Sequence, residues 1–194
     1  RDMLLLLLLM GFDILSAKKA KLNDSAHDEG SQFCFADSGV PSGFQLKRVI
    51  IIHRHGDRSP VAKKVGAFQQ SDELTEFWKS RMPTKDQIDA WSMEDDEPSK
   101  TYLNVPGISS RAIWPNGFLT ELGASQLRRV GAQLRERYVG QLGLLPALLP
   151  AAPPGRGPVR ARSTRMTRTV QSVQNLLLGL YPRDARRAGA RVLI

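Results

Sequence analysis

Arg48-Val49-Ile50-Ile51-Ile52-His53-Arg54-His55-Gly56-Asp57-Arg58-Ser59-Pro60 decides how the rest of the chain is read. Its first half, Val49 to Ile52, is continuously apolar and β-branched, as expected of a strand covered on both faces, the character of a central strand in an α/β sheet. Its second half sets one histidine between arginines directly after that strand. In open α/β sheets, ligand-binding loops lie at the carboxyl ends of strands, and His55 falls there. A neutral imidazole is a good nucleophile toward phosphorus. Guanidinium groups are the preferred planar donors to phosphate oxygens. Gly56 lets backbone and substrate come close. The stretch therefore reads as a phosphate cradle with a nucleophile at its centre; the plainer alternative is a basic turn after a strand.

Downstream, the pattern is regular in two places. Trp114-Pro115-Asn116-Gly117-Phe118 leads into a helix for which Thr120 is a good N-cap and Glu121 suits the dipole. Leu127, Val130, Leu134 and Tyr138 then form one apolar stripe. Gly123 and Gly131 each cost a helix about 1 kcal/mol, so close packing is expected at both. Val159 to Ser163 reads as a second strand. Met166 to Leu180 reads as a helix with Val170, Val173, Leu177 and Leu180 on one face, Ser163 or Thr164 as cap, and Gly179 with Pro182 as its end. Strand, helix, strand, helix in this order argues a layered α/β fold.

Between these lie less regular stretches. Asp72 to Arg81 has Leu74, Phe77 and Trp78 spaced for a short helix. The surrounding residues, about 61–113, look like an insertion on the active-site side, and Glu94 to Glu97 like a solvated acidic loop. Residues 140–158 are low in complexity, and residues 18–43 form a polar arm.

Four segments carry a family resemblance. R-H-G-x-R-x-P at Arg54, His55, Gly56, Arg58 and Pro60 is similar to the signature of the histidine acid phosphatases, branch 2 of the histidine phosphatase superfamily. So are W-P-x-G-F at Trp114 to Phe118 and the run Gly131-x-x-Leu134-Arg135-x-Arg137-Tyr138. Arg162-Ser163-Thr164 with Arg168-Thr169 resembles the family's R-S-T-D-x-x-R-T, except that Arg165 stands where the family has aspartate. That exchange puts a cation where an acid could orient neighbouring arginines.

The resemblance implies an α/β, phosphoglycerate mutase-like fold, a mostly parallel central sheet flanked by helices, of which residues 44–194 would be the N-terminal part. It implies phosphate monoester hydrolysis through a phosphohistidine, as in lysosomal and prostatic-type acid phosphatases. His55 would be the nucleophile, and Arg54, Arg58 and Arg162 the phosphate-binding clamp. No metal or other cofactor is called for. The partner is a phosphorylated small molecule. The family also supplies a second clamp histidine and an adjacent aspartate proton donor late in the chain, and no histidine follows His55 here. An unprotonated alkoxide leaves poorly, so these 194 residues alone are expected to have little or no activity.

Composition bounds the alternatives. The net charge of +9 is concentrated late, from Arg128 to Arg191, mostly as solvated helix faces. Aromatic interleaving of the kind that stacks bases is absent, so nucleic acid is not expected as a partner. A catalytically inactive phosphate-binding module, or a basic nucleic-acid binder, is the competing reading. Met3 to Met10 with Ser16-Ala17 resembles the core of a signal peptide over residues 1–17. It is too short to span a bilayer, which takes about 20 apolar residues. A leader implies the secretory pathway, secreted or lysosomal, where Asn23-Asp24-Ser25 is a glycosylation sequon. Cys34 is the sole cysteine and can form no internal disulfide; Arg1-Asp2 before Met3 and the terminal apolar run Val192-Leu193-Ile194 suggest a fragment.

Overall fold

The computed structural model describes residues 2–9, 40, 42–61, 64–65, 68–91, 114–153, 156–192 and 194. The chain divides into two compact units, Arg1–Arg54 and His55–Ile194.

In the first unit, β1 (Asp2–Leu9) pairs in parallel with β2 (Gln45–His53), from Asp2 opposite Gln45 to Leu9 opposite His53, with an irregularity between Met3 and Leu4. The strand expected around Val49 to Ile52 is present. Its expected burial is not: no β2 residue is fully buried, and Ile50 and Ile52 are 40% and 53% exposed. A two-stranded ladder has too little surface to cover both faces of its own strands. The leucine run read as a leader supplies the second strand of that ladder.

The second unit opens with the loop from His55 to Pro60 and a short antiparallel pair, β3 (Lys64–Val65) with β4 (Phe68–Gln69). Helix α1 (Asp72–Ser80) follows where periodicity placed it, capped by Ser71 accepting from the Leu74 amide. Helix α2 (Lys85–Asp89) has a reciprocal capping box between Thr84 and Gln87, a signal the sequence reading passed over. Of the inserted stretch, residues 92–113 with the acidic cluster lie outside the described residues, as do the sequon, Cys34 and nearly all of the polar arm.

The core of this unit is α3 (Glu121–Arg135) packed on α4 (Thr167–Leu180). Leu127, Val130, Leu134 and Tyr138 of the predicted stripe are all buried, and so are Val170, Val173, Leu177 and Leu180. The helices meet backbone to backbone. A Cβ on Gly131 would collide with the Leu176 carbonyl, and one on Gly179 with the Arg128 carbonyl. Gly179 is thus a packing residue inside α4 and not its terminator; the helix runs one residue further and stops before Pro182. A π-helical turn, Glu136–Gln141, continues α3.

Two expectations for the region before α4 are corrected. Val159 to Ser163 forms no strand: among the described residues it has no ladder partner, and an extended segment becomes a strand only by pairing. The layered central sheet is accordingly absent among the described residues, which hold only the two two-stranded pairs. Neither Ser163 nor Thr164 caps α4. Met166 occupies the N-cap and makes no side-chain cap, while the Thr164 and Thr169 hydroxyls lie 2.9 Å apart.

Candidate active site

The loop from His55 to Pro60 is tied to three elements of the second unit. On the α3 side, the Thr120 amide donates to the Asp57 carbonyl (3.1 Å) and the Thr120 hydroxyl to the Asp57 carboxylate (2.6 Å). The same hydroxyl oxygen accepts from the Gly123 amide and so caps the helix, as its residue type predicted. Gln126, one turn further, accepts from the Asp57 amide at 2.9 Å. Closeness here has a steric requirement. A Cβ on Gly56 would strike the Gly123 carbonyl and Leu127, and one on Gly123 would strike the Asp57 backbone. Two glycines face each other because neither backbone can approach the other with a side chain between them.

On the second side stands the W-P-N-G-F turn. Arg58 and Leu119 form a single antiparallel bridge. The Ser59 amide donates to the Phe118 carbonyl (3.1 Å), the Gly117 amide to the Pro60 carbonyl (2.7 Å), and the fully buried Ser59 hydroxyl to the Pro115 carbonyl (2.5 Å). Two of the motifs picked out in the sequence are therefore one structural piece. The third side is α4, where the Ser172 hydroxyl accepts from the Gly56 amide at 3.1 Å and donates to the Arg168 carbonyl at 2.7 Å.

His55 is half-buried, and its Nδ1 lies 2.7 Å from the Gly56 carbonyl. A carbonyl can only accept, so Nδ1 carries the proton, and a neutral ring then has its lone pair on Nε2. Arg58 is half-buried, with Nη1 donating to the Ser59 carbonyl at 2.8 Å. Arg54 is exposed and ends the first unit; its carbonyl lies 2.8 Å from Nδ1 of His53. Arg162 and Arg165 are exposed on the extended segment before α4. Of the predicted site residues, His55 and Arg58 share one pinned loop, and Arg162 stands on a segment with no strand pairing among the described residues. Sequence reasoning missed Ser172 and Gln126. The available signal was Gly56 itself, whose free backbone needs outside restraint.

The late arginines are only partly solvent groups. Arg135 donates from Nη1 to the Leu180 carbonyl (3.1 Å) and from Nη2 to the Ala147 carbonyl (3.0 Å), and its guanidinium lies over the Tyr181 ring. It fastens the C-terminal ends of α3 and α4. Arg128, Arg129, Arg156, Arg160, Arg162, Arg165, Arg183, Arg187 and Arg191 are exposed, as expected.

Comparison with known proteins agrees with the motifs. The family model of the histidine phosphatase superfamily (branch 2) matches residues 45–191. A probable acid phosphatase of Schizosaccharomyces pombe is 30% identical over 162 residues, covering 79% of this chain and 34% of that protein. Counting factor 60 of Dictyostelium discoideum is 30% identical over 170 residues, covering 84% of this chain and 39% of its own length. Lysophosphatidic acid phosphatase type 6 of Bos taurus is 30% identical over 149 residues, covering 72% and 32% respectively. The chain thus spans about a third of the length of these curated relatives.

Proposed function

The chain belongs to the histidine phosphatase superfamily, branch 2, and from that premise we propose that it carries the nucleophile and part of the phosphate clamp of an acid phosphatase, a phosphoric monoester hydrolase. The observation that carries the reading is the Nδ1 contact of His55 with the Gly56 carbonyl. It favours the tautomer with an Nε2 lone pair, the form a phosphohistidine mechanism needs.

In that mechanism Nε2 of His55 attacks phosphorus in line, an N–P bond forms as the ester P–O bond breaks, and the alcohol leaves with a proton. Water then attacks the phosphohistidine and releases inorganic phosphate. Arg54, Arg58 and Arg162 would hold the nonbridging oxygens, whose charge the transition state redistributes; most of the rate enhancement in phosphoryl transfer comes from such fixed charge and positioning. Arg58 is the best prepared of the three, because its bond to the Ser59 carbonyl already limits where the fork can point. The second histidine and its adjacent proton-donating aspartate, which the family supplies late in the chain, have no counterpart here, because no histidine follows His55 in the 194-residue sequence. They would come from elsewhere in the protein.

Family membership implies an α/β fold of the phosphoglycerate mutase type. Within it, β2 is proposed as one strand of a layered, mostly parallel sheet, with Arg162 contributed by the extended segment before α4. Relatives named lysosomal acid phosphatase and lysophosphatidic acid phosphatase, together with the leucine-rich start of the chain, support a secretory-pathway location and a phosphorylated small molecule as substrate. No helix among the described residues is long and apolar enough to cross a membrane.

The test is to trap the intermediate. Rapid acid-free quenching of the intact protein with a radiolabelled phosphate monoester is expected to yield an alkali-stable, acid-labile phosphoenzyme. The His55→Ala protein is expected to yield none and to lose at least about a thousandfold in kcat. A His55→Ala protein that keeps its label and turnover would refute the reading.

A further inference from the structure

Gly56 sits between two peptide planes, and each is gripped by a different helix. The plane joining His55 to Gly56 presents its N–H to Ser172 of α4. The plane joining Gly56 to Asp57 presents its N–H to Gln126 of α3 and its carbonyl to the His55 ring. Glycine has no Cβ to restrict its own dihedrals, so neither plane is set by local sterics.

We infer that Ser172 and Gln126 are positioning residues for the His55 nucleophile, fixing the Gly56 carbonyl that selects its tautomer; this rests on the phosphohistidine reading. Ser172 suits the role because it is fully buried, at 0% exposure, and has a single proton. That proton goes to the Arg168 carbonyl at 2.7 Å, which leaves its oxygen only an accepting part toward the Gly56 amide. Gln126 acts on the other plane. Its Oε1 accepts from the Asp57 amide, whose peptide partner is the Gly56 carbonyl, so holding the N–H aims the C=O. Bonds in series also polarise one another, which makes that carbonyl a stronger acceptor for Nδ1–H. With either grip removed, the plane can swing about Gly56 and the imidazole divides between its two tautomers. Only the Nδ1–H form has a lone pair on Nε2, so the competent fraction of enzyme falls while the arginine clamp is untouched. The signature is a lower kcat at constant KM.

The experiment reads the tautomer directly. The intact protein is labelled with ¹⁵N-histidine, the His55 ring is assigned by its loss in His55→Gln, and spectra are taken at about pH 8.5, where an ordinary imidazole is neutral. The unsubstituted protein is expected to show the Nδ1–H form. Ser172→Ala and Gln126→Leu are each expected to raise the Nε2–H form and to lower kcat about tenfold, with KM within about twofold. Gln126→Glu keeps an accepting oxygen and is expected to keep the tautomer and most of the activity. Thermal melts show which variants are folded; Gln126 is only half-buried, so its variants are expected to fold even if Ser172→Ala does not. Unchanged His55 ring nitrogens in folded Gln126→Leu, or a mixed tautomer in the unsubstituted protein, overturns the inference. Because the spectrum needs no turnover, failure of the phosphohistidine reading would appear separately, as activity surviving His55→Ala.

Discussion

The loop from His55 to Pro60 and the segment from Val159 to Arg165 both carry arginines of the proposed clamp, and they are built differently. The first is bonded to α3, to the Trp114–Phe118 turn and to α4, and presses glycine against glycine. The second is extended, exposed at Arg160, Arg162 and Arg165, and pairs with no strand among the described residues. One arginine is presented by a loop bonded on three sides, the other by an extended segment with no ladder partner among the described residues. A fork whose direction is already fixed tolerates replacement by a point charge less well than one on a segment that can adjust, so the two arginines are expected to answer differently to lysine.

The largest effect is expected there. Arg58→Ala and Arg162→Ala in the intact protein are each expected to cost about a hundredfold in kcat/KM. The lysine variants separate them. Arg58→Lys is expected to recover little, because a point charge cannot reproduce a fork already bonded to the Ser59 carbonyl. Arg162→Lys is expected to recover about tenfold, since its exposed segment can adjust. Equal recovery at both sites in steady-state assays would break the contrast.

Stability supplies the next test. Gly123→Ala drives a Cβ into the Asp57 backbone and is expected to destabilise by about 1–3 kcal/mol. Arg165→Ala, on the exposed segment, is expected to stay within about 0.5 kcal/mol. Denaturant midpoints measure both.

The smallest expected effect lies at the far end of α4. Burial raises the Tyr181 phenol above its ordinary value of 10.0, with the Arg135 guanidinium pulling the other way, and its hydroxyl donates to the Pro146 carbonyl at 2.8 Å. A raised folded value favours the protonated fold, so this stabilisation is present below about pH 10 and is lost as pH rises through the folded value. Tyr181→Phe is expected to cost about 1 kcal/mol at pH 8 and less at pH 10.5, read from denaturant melts at both.

The same contrast explains what could be read in the sequence. Helix α3, its Thr120 cap, its buried stripe and the close packing of Gly123 and Gly131 follow from local spacing, and all were legible. His55 is proposed as the chemical centre because the residue types around it, Arg54-His55-Gly56-Asp57-Arg58, suit phosphate chemistry. Ser172 was not legible, since its bond to Gly56 joins positions far apart in the chain and a serine on a helix carries no mark of it. Gly179 was misread because a glycine shortly before Pro182 looks like a stop, when its lack of a side chain serves the contact with Arg128. Val159 to Ser163 has strand-forming residues, but β-propensity describes a residue's fitness for a ladder and cannot supply the neighbour, and none stands beside it among the described residues. The π-helical turn after Arg135 left too faint a change in spacing to notice.

One hydroxyl, that of Thr120, both caps α3 and holds Asp57. Opening the first turn of the helix therefore frees Asp57 from Thr120, and lifting Asp57 removes a partner of the capping hydroxyl. In hydrogen-exchange terms the amides of Gly123 and Thr120, bonded to the Thr120 hydroxyl and the Asp57 carbonyl, are expected to open together. Heat inactivation would then begin as a local event at the front of α3, well before the glycine-locked crossing with α4 gives way.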